Sequence, residues 1–424
     1  MRHCSEMPYH AGIVVRIYPS RRQKHVIAVN DGCGRSVYNR LVAMNNERRQ
    51  LLRTAALVPA YRDRLASLDS ILRNPQTALP AALKNMMPYL YGPDVDSLTV
   101  DNAIRHYNNA WKKFKADARA GVPAFHKKTY ARSYQTNAHY RKDAACINDG
   151  NVRFEDISHI VLPVLGRIRI KGSKTRLSAI INRRDTRIGT ITVSCDGTGR
   201  YFASLQLAGE APFAERYRLT GAMAGIDLNI DNFLWDSNGR VVENPKFRRG
   251  ERERMARLQK ALSRKAAQAK KDRRGLGGCK NYQKQRLELA KLHLKISGRS
   301  EDFRHVLSKE YVENQDYIFA EDLKVRDLLK DHRLAYAISE CGWADFLNKL
   351  EYKARDHGKV FLKVPPQQTT QTCSCCGHVL TGCEKLTLGD REWVCPKCKT
   401  YHVRDYNAAR NILAKGLAIL SDMS

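Results

Sequence analysis

The sequence predicts a multidomain α/β chain with one mixed sheet in its second half. Three observations carry that expectation. A length of 424 residues admits two or three domains, each with its own core. Short alternating apolar segments crowd into 149–207, whereas strand-like and helical segments alternate from 222 onward, the pattern of an α/β layer structure. No apolar run of spanning length, lipidation signal or N-terminal h-region is visible, so a soluble chain with no membrane partner is expected.

Taken in order, GIVVRIYP (12–19) mixes β-branched residues with an alternating Arg16 and stops at Pro19, so it reads as a strand. From Asn39 to about Leu72, Leu, Ala and Val recur at three- and four-residue intervals with Arg between them, the period of a helix. A second helix is expected over 101–119, stopped by the Gly and Pro of GVP (121–123). IVLPVLGRIRI, RIGTITVSC and RYFASLQL read as short strands, with CDGTG (195–199) a hairpin turn between the last two. A mostly helical block thus sits within a flanking β region, as when an insertion interrupts a barrel. AMAGIDLNIDNFLWDSNGRVV (222–242) reads as a fresh strand running through DSNG into another, and marks a domain boundary. DYIFAEDL (316–323) reads as a buried strand ending in acids, followed by a helix around 335–356 and the strand KVFLKV (359–364).

Lys and Arg number 74 against 43 Asp and Glu, a formal net charge of +31. An excess of that size calls for a polyanionic partner. Nucleic acid fits, because many spread phosphate contacts release counterions; a membrane surface is the competing partner. The densest stretch is 248–299, with 18 Lys or Arg against 4 acids. A thin apolar stripe of Met255, Leu258 and Leu262 runs through it, and RRGLGG (273–278) interrupts it. The plain interpretation is a solvated helical hairpin. Cations surrounding so thin a stripe point further, to phosphate contact by Arg248, Arg249, Arg252, Arg264, Lys265, Lys270, Lys271, Arg273 and Arg274. Tyr38 beside Arg35 and Arg40, and Trp111 beside Lys112 and Lys113, are candidates to stack on nucleotides. Core packing is the alternative for Trp111.

Six of the 12 cysteines are scattered, and six crowd between 373 and 398. Scattered thiols in a large charged chain fit a reducing cytoplasm better than a disulfide framework. Cys373-x2-Cys376, then eighteen residues, then Cys395-x2-Cys398 has the spacing of a four-thiolate zinc site. Soft thiolates prefer Zn²⁺ to Mg²⁺; iron is the other metal such a set can hold. Four thiolates close the coordination sphere, so this metal would hold a fold together. Cys375 and Cys383 are surplus to it.

Three acids complete the pattern. Asp227 ends the strand-like AGID, Glu321 follows YIFA, and Asp405 opens the helical RDYNAARNIL, where it would serve equally as an N-cap. Strand–Asp, strand–Glu and helix-start–Asp is how ribonuclease-H-like folds bring three carboxylates to one sheet edge. Such carboxylates bind two divalent cations for phosphodiester hydrolysis, and hard oxygen ligands favour Mg²⁺ or Mn²⁺.

RIYPSRRQ (16–23), CGRSVYNRLV (33–42), AWKKFKADARAGVPAFHKK (110–128), GIDL (225–228), the segment 321–343, TTQTCSCCGH (369–378) and HVRDYNAARNI (402–412) together resemble the TnpB family, transposon-associated ancestors of type V CRISPR effectors. The resemblance implies that Asp227, Glu321 and Asp405 are the acids of a RuvC-like nuclease and that the four cysteines are its zinc-ribbon ligands. It implies a wedge β-barrel over 1–30 and 126–220, carrying a helical recognition insertion at 31–125. The nuclease would cover 221–370 and 401–424, with the ribbon inserted at 371–400. The implied partners are a guide RNA from the transposon end and double-stranded DNA cut beside a short motif, with the chain acting as a monomer on DNA in a prokaryotic cytoplasm. A compact type V CRISPR effector, a nuclease-weak RNA-guided repressor and a DNA-cutting transposase are the rival functions. Asn229 stands where the family commonly has Gly, Lys399 where Gly usually follows the last ligand, and Thr369-Thr370-Gln371 where TSQ is usual.

Overall fold

The computed structural model describes residues 4–54, 58–73, 79–141, 144–387 and 389–423. These fall into two units, Met1–Phe213 and Ala214–Ser424. In the first, β1 (Tyr9–Tyr18) leads through Pro19 and Ser20 into α1 (Arg21–Thr54). The helix begins well ahead of the expected Asn39, for a local reason. Ser20 Oγ accepts from the Gln23 amide (3.3 Å) while Gln23 Oε1 accepts from the Ser20 amide (2.9 Å), a reciprocal capping box. That signature, SRRQ, stands in the sequence ahead of the apolar period that set the expected start.

Helices α2 (Pro59–Arg73), α3 (Leu79–Met86) and α4 (Ser97–Ala116) follow, the last capped by the Asp96 side chain accepting from the Leu98 amide. Next come β2 (Arg132–Asn137), β3 (Arg153–Asp156), β4 (His159–Leu162), β5 (Gly166–Lys171), α5 (Lys174–Ile181), β6 (Thr186–Cys195) and β7 (Tyr201–Gly209). The strands form one antiparallel sheet in the order β2-β6-β7-β1-β5-β4-β3. The first strand of the chain therefore lies inside the sheet, and the helices α1–α4 are inserted between it and the rest. Alternation along β1 buries Ile13, Val15 and Ile17 and exposes Val14, Arg16 and Tyr18.

The helices keep a separate core of Val37, Leu41, Ile104 and Tyr107. Tyr38 belongs to it: 5% exposed and stacked on His126 at 3.9 Å, it is not free to stack on a nucleotide as the sequence suggested. Trp111 meets Tyr107 and Phe114 edge-on at 6.4 and 5.7 Å, which is the core-packing alternative.

The second unit opens with β8 (Met223–Leu228), β9 (Asn232–Asp236) and β10 (Val241–Glu243), then α6 (Phe247–Gly250), α7 (Arg252–Lys271) and α8 (Lys280–Asn314). It continues through β11 (Tyr317–Glu321), α9 (Val325–Leu328), α10 (Ala335–Cys341), α11 (Trp343–His357), β12 (Val360–Val364), β13 (Glu392–Val394), β14 (Tyr401–Val403) and α12 (Arg404–Met423). Five strands form a mixed sheet, β10-β9-β8-β11-β12, in which β8, β11 and β12 run parallel. β13 and β14 pair separately. The expected single helix at 335–356 is two, because Gly342 turns left-handed (φ 67°) and the Arg304 guanidinium fills the space where a Cβ would project. Ahead of β8, the Thr220 and Gly221 amides donate to the buried Asp316, which also pairs with buried Lys359, so the chain joins this unit before the expected strand begins. No helix among the described residues is long and apolar enough to cross a membrane.

The sheet has a different neighbour on each face. Ile226, Ile318 and Ala320 pack in one cluster with Leu307 of α8 and with Phe346 and Leu350 of α11. On the other face Phe319 and Val364 pack with Ile412 of α12. Two glycines set how closely α12 lies. A Cβ on Gly225 would overlap the Ala409 carbonyl and the Leu413 amide, and one on Gly416 would overlap the Phe319 ring. Gly225→Ala meets backbone that no rotamer change relieves and should lower stability by about 3 kcal/mol or more. Gly416→Ala meets the base of the fully buried Phe319 ring, so despite about 1 kcal/mol of helix propensity gained it should also be destabilising, by about 2 kcal/mol or more. Chemical denaturation of both variants tests these losses.

Candidate active site and zinc ribbon

The register of two strands determines where the first two acids meet. Ala320 pairs with Ile226, so Glu321 and Asp227, one residue further along, stand side by side at the carboxyl ends of parallel strands. By alternation they share a face with Phe319 and Gly225, the face that α12 covers. Asp405 lies in the first turn of α12, one turn ahead of Ala409, whose carbonyl abuts Gly225. All three acids are thereby brought to one corner of the sheet.

Asp227 is 7% exposed and Glu321 9%. Burial, reinforced by the charges of Glu321 and Asp405, holds the Asp227 carboxyl well above the usual carboxylate range, and Arg404 opposes the rise. Burial likewise raises Glu321, opposed by the Thr369 hydroxyl and by Lys415. Buried like charges with an oxygen-only donor set are what a hard divalent cation would relieve. Asp405 is held by partners of its own: Asn229 Nδ2 donates to it at 3.2 Å, Arg404 Nε lies at 3.3 Å, and Arg391 Nη1 lies at 3.8 Å while also pairing with Asp231 at 2.5 Å. Arg391 was missed by sequence reasoning. It lies in the ribbon fourteen residues before Asp405, with no periodic signal to single it out.

Cys373, Cys376, Cys395 and Cys398 are, among the described residues, the one set of three or more metal-type side chains whose ligand atoms all lie within 4.8 Å of one another. The sulfurs of Cys373 and Cys398 are 3.6 Å apart and those of Cys376 and Cys395 3.7 Å. A tetrahedral zinc with Zn–S of about 2.3 Å puts its sulfurs about 3.8 Å apart, so the set fits that ion. Cys375 and Cys383 are exposed and lie outside the set. The two knuckles repeat one turn: the Gly377 amide donates to the Cys373 carbonyl and the Lys399 amide to the Cys395 carbonyl, each at 2.9 Å. The residue after each second cysteine is left-handed, Gly377 at φ 73° and Lys399 at φ 61°. Only the first is a glycine, the residue for which that conformation is free of strain.

Of the basic tract, Arg249, Arg252, Arg264, Lys270, Lys271, Arg273 and Arg274 are exposed. Arg248 and Lys265 are half-buried and serve the protein itself: Arg248 lies 5.0 Å from the Tyr336 ring, and Lys265 Nζ donates to Gln285 Oε1 at 2.9 Å across the α7–α8 pair. That pair closes on Met255, Leu292 and Ile296, the thin stripe of the sequence extended by α8.

Replacing Lys399 by Gly should relieve about 1 kcal/mol of backbone strain, visible as a higher midpoint for thermal unfolding of the zinc-loaded protein. A second expectation concerns Asp227. Its raised carboxyl binds protons more tightly folded than unfolded, so its contribution is full below the ordinary carboxylate range and is lost as pH rises through the raised value. In Mg²⁺-free buffer Asp227→Asn should therefore melt above the unsubstituted protein, by a margin that widens as pH rises above the ordinary carboxylate range. Added Mg²⁺ should stabilise only the unsubstituted protein.

Three family profiles match the chain: a Cas12f1-like TNB domain over 343–412, a profile described as "Probable transposase" over 208–331, and a helix-turn-helix domain over 7–52. The last span is here a strand followed by one continuous helix, β1 and α1. A Streptomyces pristinaespiralis protein named "Putative RNA-guided DNA endonuclease" is 31% identical over 404 residues, spanning 95% of this chain and 88% of its own. The Escherichia coli K12 protein InsQ, under the same description, is 27% identical over 353 residues, 80% of this chain and 79% of its own. A cryo-EM structure of a Cas12f1–sgRNA–target DNA complex aligns at a TM-score of 0.47 and 13% identity, covering 95% of this chain and 98% of that one. With likeness to a relative sustained over nearly its whole length, this chain belongs to the TnpB family.

Proposed function

We propose that the chain is an RNA-guided DNA endonuclease that cleaves double-stranded DNA at one RuvC-like site. The observation that carries this is the placing of Asp227 and Glu321 side by side on two parallel strands of the mixed sheet, with Asp405 near enough for its charge to act on Asp227, in a family member of net charge +31. Mg²⁺ or Mn²⁺ held by the three carboxylates would supply activation of the attacking water and neutralisation of the leaving oxygen. Asp227 and Glu321 orient that centre from adjacent strands, and their burial keeps bulk water from competing for it. Arg391 and Arg404 flank the corner as cations that can meet a phosphate.

The exposed cations of α6, α7 and the turn after α7 are read as contacts to a nucleic-acid backbone, which needs spread charge and no sequence code. A guide RNA derived from the transposon end would pair with the target strand, so that base pairing reads sequence while the protein reads shape. In this assignment 1–30 and 126–220 form the wedge, 31–125 the helical recognition part that helps read a short motif beside the target, and 371–400 a zinc ribbon of structural purpose. The chain acts as a monomer.

The test is cleavage of target plasmid by protein purified with its co-expressed flanking RNA. We expect Mg²⁺-dependent double-strand breaks that require the RNA and vanish in Asp227→Ala. Breaks that persist in that variant, or without RNA, would refute the proposal.

A further inference from the structure

Residues 365–372, which join β12 to the ribbon, form a strap that touches one of the acids, Glu321, directly. Thr369 is 2% exposed, and its Oγ1 lies 2.5 Å from Glu321 Oε1; the Pro366 carbonyl, the other acceptor in reach, is at 3.1 Å. The strap is fixed from α12. Asn411 Nδ2 donates to the carbonyls of Thr369 (2.8 Å) and Thr372 (2.6 Å), and Asn407 Nδ2 donates to Thr372 as well (2.8 Å). Asn407 Oδ1 accepts from the Ser374 amide at 2.8 Å, between two zinc-ligand cysteines. Lys415 Nζ reaches the Pro365 and Gln367 carbonyls. Both asparagines are buried, and Gln368 is held left-handed at φ 62°, which non-glycine residues avoid. A segment tied at so many points and held against its backbone preference delivers one buried hydroxyl, and it delivers it to Glu321.

We infer that Thr369 is a positioning residue for Glu321, orienting its carboxylate for a divalent cation, and that α12 and the ribbon set Thr369 by clamping the strap. The inference rests on the reading that Asp227, Glu321 and Asp405 take such a cation. A glutamate carboxylate turns freely about its last torsion. A hydroxyl donated to Oε1 stops that rotation and leaves Oε2 with its lone pairs for the metal. Removal of an outer partner of this kind lowers metal affinity by about 10–100-fold.

The experiment uses the full-length, zinc-loaded protein and follows thermal unfolding against Mg²⁺ and Mn²⁺ concentration, with guided plasmid cleavage alongside. Thr369→Val keeps the shape without the hydroxyl and Thr369→Ser keeps the hydroxyl. The valine variant should retain its zinc, and should need about 10–100-fold more Mg²⁺ for half-maximal stabilisation and for cleavage. The serine variant should titrate as the unsubstituted protein does. Thr369→Ala stands in if the valine does not fold; failure of both to fold would make the residue a structural one and overturn the inference. So would a valine variant that titrates normally, or a serine that fails to rescue. If the unsubstituted protein shows no Mg²⁺-dependent shift and matches Asp227→Ala, the acid-site reading itself has failed and the inference falls with it.

Discussion

Helix α12 touches the sheet at two places where one partner has no side chain, Gly225 on β8 and Gly416 on the helix. Everything proposed for the active corner depends on that close approach. Two of the acids come from strands and their separation is set by sheet hydrogen bonding, which varies little. The third comes from the helix, and its distance from the others is whatever the helix–sheet packing allows. A methyl group at Gly225 would push away the turn of α12 next to Asp405. The glycine of GIDL is thus a spacing device for an acid that lies 180 positions along the chain from it, numbering 225 against 405.

The ribbon extends the same constraint. Four thiolates around one metal leave no open coordination position, yet Asn407 and Asn411 tie the segment on which the first knuckle sits to the helix that carries Asp405. The four-cysteine set and the helix that carries Asp405 are thus joined by direct hydrogen bonds. Electrostatics works against this assembly. Burial raises the carboxyls of both Asp227 and Glu321, with the charges of Glu321 and Asp405 adding to the rise at Asp227, while Arg404 opposes it at Asp227 and the Thr369 hydroxyl and Lys415 oppose it at Glu321. Buried carboxyls with raised proton affinity and oxygen-only donors have the chemistry that a hard cation would satisfy.

In the first unit the physical theme differs. Alternation along β1 gives an apolar face for the core and leaves Arg16 and Tyr18 outside, while the inserted helices close on Val37, Tyr38, Leu41 and Ile104. Placing a basic surface on a self-sufficient β core lets charge accumulate without destabilising the interior, since exposed cations are well solvated. In the second unit the α7–α8 pair uses the same economy, with Met255 and Leu258 of the stripe closed by Leu292 and Ile296 beneath a largely cationic exterior.

What the sequence determined by itself was whatever is local or carried by spacing. The clustering of the four cysteines was legible because two CxxC pairs need no tertiary context to be recognised, and the strands that carry Asp227 and Glu321 near their ends were legible from apolar runs that stop in acids. The start of α1 at SRRQ was equally local but lies ahead of the apolar period that marked the helix, and the break at Gly342 turned on a left-handed residue that periodicity does not register. Tertiary structure alone decided which side chains lie against the acids. Thr369, Asn229 and Arg391, and the Asn407 and Asn411 that hold the Thr369 segment, sit in loops or on a helix where their types have many ordinary uses, and Thr369 and Asn229 meet their acids 48 and 176 residues away. Contacts of that range leave no periodic trace in a single chain, because they exist only once the sheet, the helix and the ribbon have packed.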